Sequence, residues 1–190
     1  MKRLWIIRHG QSENNKAGLL SGWMDTPLTE QGTKEAEKVR ELLMNEHFDR
    51  VYSSDLIRAR ATAETALPNA VYETSEMLRE MNLGELEGRS SSIVPKDQLP
   101  YLARVGYSAF GGESREEFYA RIRDFGNELL SSEDDNIAVF SHSGWLRGFL
   151  CLTLGMDTLS YKVVCNNCAV GVFEHNGQAW HLHSWINFLT

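Results

Sequence analysis

The stretch Leu4-Trp5-Ile6-Ile7-Arg8-His9-Gly10 decides how this chain is read. A short apolar run containing β-branched and aromatic residues predicts a buried strand. Gly10 permits a sharp turn directly after it, so the strand delivers Arg8 and His9 to one edge of a sheet. A guanidinium suits a phosphate dianion, and a neutral imidazole is a competent nucleophile near neutral pH. Together at a strand end they point to phosphoryl transfer through histidine. The triplet alone is equally consistent with ordinary turn chemistry, and three further segments decide between the two.

The first is Ser53-Ser54-Asp55 followed by Leu56 to Thr65, after a second strand-like stretch, Arg50-Val51-Tyr52. It predicts a helix capped by Ser53, Ser54 or Asp55. Free N–H groups at a helix start favour anions, and Arg58 in the first turn is placed to share a pocket with Arg8. Arg60, two residues on, is expected to point elsewhere, into solvent. The second segment, Leu78 to Gly88, has no clean period and two glycines, and reads as a functional loop. Its acid candidates are Glu80, Glu85 and Glu87, which sequence logic does not rank. The third, Ile137-Ala138-Val139-Phe140-Ser141-His142-Ser143-Gly144, is again an apolar strand ending in a histidine and small residues. Parallel strands put their C-terminal ends on one rim, where ligands of open α/β sheets bind, so His9 and His142 are expected there together.

These residues resemble the histidine phosphatase superfamily, which includes the cofactor-dependent phosphoglycerate mutases and many phosphatases. The resemblance runs from Arg8-His9-Gly10-Gln11-Ser12-Glu13-Asn14-Asn15 to Ser141-His142-Ser143-Gly144. In between it takes in Ser21-Gly22-Trp23, Asp25 to Gly32, Ser53-Ser54-Asp55 with Arg58-Ala59 and Thr62, Glu80 with Gly84, and Gly112-Glu113-Ser114. It implies that His9 is the nucleophile and becomes a phosphohistidine. Arg8, Arg58 and His142 would surround the phosphoryl group, and Glu80 would protonate the leaving oxygen. It also implies phosphate contacts from Asn15 and the backbone amide of Ser143, with a less defined role for Ser12. No cofactor or metal is implied. A phosphoryl group in flight spreads charge over three oxygens, which two arginines and a second imidazole can meet. To attack, His9 must be unprotonated at one ring nitrogen, with the other held by the nearby turn backbone.

Composition agrees with this chemistry. The chain has 190 residues, within the single-domain range, and is read as one domain over 1–190. A net charge of −7 disfavours a broad nucleic-acid surface. No apolar run approaches a membrane span. A cleaved leader at Met1-Lys2-Arg3 would remove His9, so the expected location is the cytoplasm. The expected partner is a small phosphate ester, with no nucleic acid or membrane; oligomeric state is left open. Cys151, Cys165 and Cys168 form no disulfide framework. Cys165-Asn166-Asn167-Cys168 has the spacing of a metal or redox pair, with His175, His181 and His183 downstream. No second cysteine pair accompanies it, and His181 and His183 alternate as a solvated strand face would, so no metal is assigned.

The elements alternate, predicting a three-layer α/β/α sandwich whose sheet is mostly parallel with an antiparallel edge strand. Thr29 to Gly32 opens a helix with Ala36, Val39, Leu42 and Leu43 on one face, ending near Asn45. Ser114 and Glu117 form a capping box before Phe118, Ile122, Phe125 and Leu129, a core stripe with no ligand role assigned. Asn176-Gly177 between Ala169–Phe173 and Ala179–His183 predicts a hairpin. Residues 89–111 are the least regular. They are expected to form a lid or cap over the pocket, helical around Asp97 to Val105.

The resulting function is a phosphomonoester hydrolase acting on a small phosphorylated metabolite. The alternative within enzymes is a phosphoglycerate mutase. Mutases of the family have longer insertions that shield the phosphoenzyme, whereas the compact segment here offers only Arg89, Lys96, Arg104 and Arg115 as bases, so water is expected to reach the intermediate. The start of the chain and the loop from Leu78 to Gly84 are similar to those of α-ribazole phosphatases; sugar phosphates are the other substrate class considered. A non-catalytic phosphate-binding module is the alternative outside enzymes, disfavoured because His9, Arg8, Arg58, Glu80 and His142 are all present.

Overall fold

Burial on both faces of the first strand organises the molecule. The computed structural model describes residues 1–156 and 163–188. In it β1 (Lys2–Arg8) sends Leu4 and Ile6 to one side of a sheet and Trp5 and Ile7 to the other. Side chains alternate along a strand, so a continuous apolar run needs cover on both faces.

The chain continues through α1 (Glu13–Ala17), α2 (Glu30–Leu43), β2 (Arg50–Ser54), α3 (Ile57–Ala66) and β3 (Glu73–Ser75). Then come α4 (Leu99–Val105), α5 (Arg115–Ser131), β4 (Asn136–Ser141), α6 (Ser143–Leu154), β5 (Val170–His175) and β6 (Trp180–Ile186). The sheet order is β3-β2-β4-β1-β5-β6. The first four are mutually parallel, and the β5–β6 hairpin adds to β1 in antiparallel fashion. Helices α2 and α3 pack Ala36, Val39, Leu43, Ala63 and Ala66 against Trp5, Ile7, Val51 and Phe140. On the other face α5 and α6 bring Phe118, Ile122, Phe125, Leu129, Trp145 and Phe149 onto Leu4, Ile6, Ile137 and Val139. The sandwich expected from the alternation of elements is the observed fold. Each fully buried side chain of this kind contributes roughly 1.5–3 kcal/mol.

Local rules set several boundaries. Thr29 Oγ1 accepts the Gly32 N–H and starts α2. Ser114 and Glu117 form the expected reciprocal box at α5. The helix start at α3 differs from expectation. Its cap residue is Leu56, without a side-chain bond, and the Ile57 N–H donates instead to Asp25 Oδ1 at 2.7 Å, from a distant loop. Ser54 closes β2, and Asp55 is engaged by Arg79. The hairpin turn is longer than a two-residue Asn-Gly loop: Asn176 Oδ1 accepts the N–H groups of Gln178 and Ala179.

The segment 89–111 contains two short 3-10 turns around α4, which spans Leu99–Val105 within the expected helical stretch. With Leu83 and Leu86 it makes a small apolar cluster of its own, through Val94 and Leu102.

Candidate active site

Strand register brings the two histidines together. Arg8 of β1 pairs with Ser141 of β4, so His9 and His142 leave neighbouring parallel strands side by side. Their rings meet edge-on with centroids 5.2 Å apart. On the far side of β4, Ser54 at the end of β2 places Oγ 2.9 Å from His142 Nε2. The chain then enters α3, and Arg58 in its first turn points back to the same rim.

His9 is buried, and its Nδ1 lies 2.7 Å from the Gly10 carbonyl oxygen. A carbonyl only accepts, so Nδ1 carries the proton and Nε2 keeps its lone pair. Arg58 Nε donates toward that lone pair at 3.3 Å. Burial, reinforced by the charges of Arg58 and Arg8, holds His9 well below its ordinary pKa of 6.5. Burial also lowers His142, followed by Arg58 and His9. Both rings are therefore neutral near pH 7.

Each guanidinium is fixed by carbonyl oxygens. Arg58 Nη1 and Nη2 donate to Met24 and Gly22 at 2.9 and 2.8 Å, and Arg8 Nη1 donates to Cys165 at 2.5 Å. Among the described residues, Arg8 Nε and His142 Nδ1 are buried without a partner. An unsatisfied buried donor such as Arg8 Nε is costly, and an oxygen of a bound phosphoryl group is a natural acceptor for it. Gly10 serves close packing: its φ is not positive, and a Cβ there would collide with the carbonyl of Gly32.

The structure places the three acid candidates differently. Glu80 lines the cavity, with Oε2 accepting the Gly144 N–H at 2.9 Å and Oε1 accepting the Met81 N–H at 2.9 Å. Its carboxyl group thus sits at the N-terminus of α6. Glu87 instead accepts the N–H groups of Trp23 and Leu83 at 2.8 and 3.1 Å, while Glu85 is exposed on a 3-10 turn.

The cavity has a volume of about 300 Å³. Its polar floor is Arg8, His9, Asn15, Arg58, Glu80, Ser143 and Gly144. His142 stands behind His9 and does not line it. Asn15 is oriented by the α1 capping box: its Oδ1 accepts from the Ser12 N–H at 3.2 Å and from Asn167 Nδ2 at 3.1 Å. That leaves the amide NH2 to donate. Ser12 is buried as the cap of α1, bonded to Asn15, and does not line the cavity. Leu102 and Ala103 of α4, with Tyr107, line the opposite side. The α5 stripe is core as expected, and its first member, Phe118, also lines the cavity. Arg60 does not line it.

Several supports were not visible in the sequence. Trp23 Nε1 donates to the Glu80 carbonyl at 2.7 Å, and Arg121 reaches the same oxygen at 3.2 Å while ion-paired with Glu113. Cys165 to Cys168 is a clamp on the end of β1: the Cys168 N–H and Asn167 Nδ2 both donate to the His9 carbonyl. Both thiols are free and buried, and burial raises their pKa values. Cys168 takes a left-handed φ of 58°, where a non-glycine residue is uncommon. His181 and His183 are exposed on β6, and no cluster of three or more metal-binding side chains occurs among the described residues.

The chain as a whole is similar to known proteins. The chain is 35% identical over 166 residues to the adenosylcobalamin/alpha-ribazole phosphatase of Salmonella typhimurium, covering 83% of this chain and 82% of that protein. It is 30% identical over 186 residues to phosphoserine phosphatase 1 of Hydrogenobacter thermophilus, covering 92% and 87%. The crystal structure of the alpha-ribazole phosphatase from Shigella flexneri superposes with a TM-score of 0.83 at 28% identity, covering 96% of this chain and 95% of that one. The histidine phosphatase superfamily (branch 1) matches residues 4–187. With that match and the two-histidine rim in view, the chain belongs to the histidine phosphatase superfamily.

Proposed function

We propose that His9 carries the phosphoryl group during hydrolysis. The chain is a phosphomonoesterase of small phosphorylated metabolites, as its family and its phosphatase relatives establish. The observation that carries the histidine mechanism is the fixed tautomer of His9. Its Nδ1–H is anchored on Gly10, and its Nε2 lone pair faces Arg58 in a cavity.

In the first step Nε2 attacks phosphorus and the bond to the ester oxygen breaks. Glu80, in its acid form, passes its proton to the departing oxygen. Arg8, Arg58, the Asn15 amide and the Ser143 N–H, all on the cavity wall, meet the spreading charge on the three phosphoryl oxygens. His142, buried edge-on to His9, is assigned to reach that charge through its unpartnered Nδ1. In the second step water attacks phosphohistidine, Glu80 takes its proton, and the P–N electron pair returns to Nε2. Alcohol and inorganic phosphate are the products, and every step is assigned to a side chain, a backbone amide or water.

We assign 89–111 the role of a lid, supported by Leu102, Ala103 and Tyr107 on the cavity wall. Three free thiols support a reducing, cytoplasmic setting. No helix among the described residues is long and apolar enough to cross a membrane.

The test is His9→Ala with rapid acid and base quenching. The variant loses turnover and the acid-labile, base-stable phosphoenzyme; full activity in it overturns the mechanism. Glu80→Gln slows alkyl phosphates more than p-nitrophenyl phosphate, whose leaving group needs little protonation. Equal losses on both remove Glu80 as the acid.

A further inference from the structure

Arg8 and Arg58 do not account for all the positive charge in the cavity. Arg115, the first residue of α5, and Arg147 on α6 line the same space, where Glu80 is the one carboxylate. Among the described residues none of these four arginines forms an ion pair with a carboxylate. Four guanidinium groups facing one carboxylate run against a chain of net charge −7.

The two outer arginines are held in place. The Arg115 guanidinium stacks 4.6 Å from the Tyr119 ring, itself a cavity wall, and its Nε is buried with no acceptor. Arg147 Nε donates to the Val163 carbonyl at 3.2 Å. Its charge reaches Arg8, whose pKa is lowered chiefly by burial and in part by Arg147. A neighbouring depression shares Arg115 and Tyr119 and adds Arg104 and Arg123, against the single carboxylate of Glu116. In the mechanism proposed above, the monoester dianion lies against Arg8 and Arg58. Arg115 and Arg147 remain on the cavity wall with no carboxylate partner, and a second anion there would offset their charge.

We propose that Arg115 and Arg147 receive a second anionic group of the substrate, a carboxylate or a further phosphate, and so select esters whose alcohol portion is itself charged. This rests on the phosphatase reading at His9. Guanidinium forks match either anion, and a charge-assisted contact of this kind changes affinity by about 10- to 100-fold.

The experiment measures inorganic phosphate release from two matched pairs. Glycerol 3-phosphate and 3-phosphoglycerate differ by a hydroxymethyl against a carboxylate. Fructose 6-phosphate and fructose 1,6-bisphosphate differ by one phosphate. The doubly anionic member of at least one pair is expected to have the higher kcat/KM by about tenfold or more. The pair that shows it identifies carboxylate or phosphate as the second group. In Arg115→Gln and Arg147→Gln that ratio collapses toward one, mainly through KM, and the Lys variants restore part of it. Comparison within the wild-type enzyme needs no variant to fold. Equal kcat/KM within both pairs overturns the proposal, as do Gln variants that leave the ratio intact. Phosphate release that persists in His9→Ala sinks the histidine mechanism instead, and the two failures are thereby told apart.

Discussion

Two buried, neutral histidines at the site give stability a specific acid limb. His9 and His142 both have folded-state pKa values well below 6.5, because burial and neighbouring guanidinium groups oppose a further positive charge. Above pH 6.5 each ring is neutral in the folded and the unfolded chain, and pH has no leverage through it. Below 6.5 the unfolded chain binds protons that the folded protein refuses, so stability falls as pH falls. The slope is about 1.4 kcal/mol per pH unit for each histidine, or about 2.7 for the pair. The slope sets in gradually as the unfolded rings protonate, so two rings that stay neutral in the folded protein down to pH 5.0 remove about 3 kcal/mol from pH 6.5, a large share of the roughly 5–15 kcal/mol by which domains are stable. Carboxylates with lowered pKa values, such as Asp55 beside Arg79 and Glu174 beside Arg3, start below the histidine window, from ordinary values of 3.8 and 4.5. Their contribution is lost at lower pH still.

Urea unfolding followed by tryptophan fluorescence, in phosphate-free buffers from pH 5 to 8, measures this directly. His9→Gln and His142→Gln should each roughly halve the slope while leaving the plateau above pH 7 flat. A wild-type curve that is flat from pH 6.5 to 5 would mean that the folded protein protonates these rings as readily as the unfolded chain does. The neutral nucleophile would then be refuted with it. Inorganic phosphate should flatten the acid limb, because a bound anion offsets the arginine charges that keep the rings neutral.

Two substitutions probe the supports of the site. A Cβ at Gly144 would overlap Glu80 Oε1, the movable end of a side chain, so Gly144→Ala should fold but displace the acid. Steady-state rates should drop about 10- to 100-fold on alkyl phosphates and less on p-nitrophenyl phosphate; equal losses would contradict this. Ser54→Ala removes the partner of His142 Nε2 and leaves a buried ring with no hydrogen bond among the described residues. We expect a stability loss of about 1–3 kcal/mol and a fall in kcat larger than any rise in KM. An unchanged kcat would show that Ser54 does not position the imidazole.

What the sequence disclosed was what obeys a local period or a short motif. The apolar run before His9 and its counterpart before His142 are strands because both faces are covered. Their shared rim follows from parallel pairing, with Arg8 opposite Ser141. The box at Ser114 and Glu117 needs four consecutive residues and was legible for that reason. Local pattern did not separate Glu80 from Glu85 and Glu87; only the family resemblance singled out Glu80. The three acids share one loop, and what separates them is the Gly144 N–H, which arrives from α6. The start of α3 is another such case: nearby Ser53, Ser54 and Asp55 offered caps, yet Asp25 supplies it from 32 positions away.

The Cys165–Cys168 turn shows why spacing alone misleads. Two cysteines three apart resemble a metal or redox pair, yet the backbone of that turn binds the end of β1. The Cys165 carbonyl takes Arg8, and the Cys168 N–H and Asn167 amide take the His9 carbonyl. The two thiols are buried and free. Arg58 repeats the pattern, since the carbonyls of Gly22 and Met24 aim it. A main-chain carbonyl is present at every position and leaves no mark in residue type, so pattern reading finds the side chains that do chemistry and misses the peptide groups that point them. The local accommodation is visible afterwards at Gly10, where the required feature is room for the Gly32 carbonyl rather than a turn. Residue identity was informative there because it recorded an absent Cβ, the one trace that a close-packed peptide leaves in a sequence.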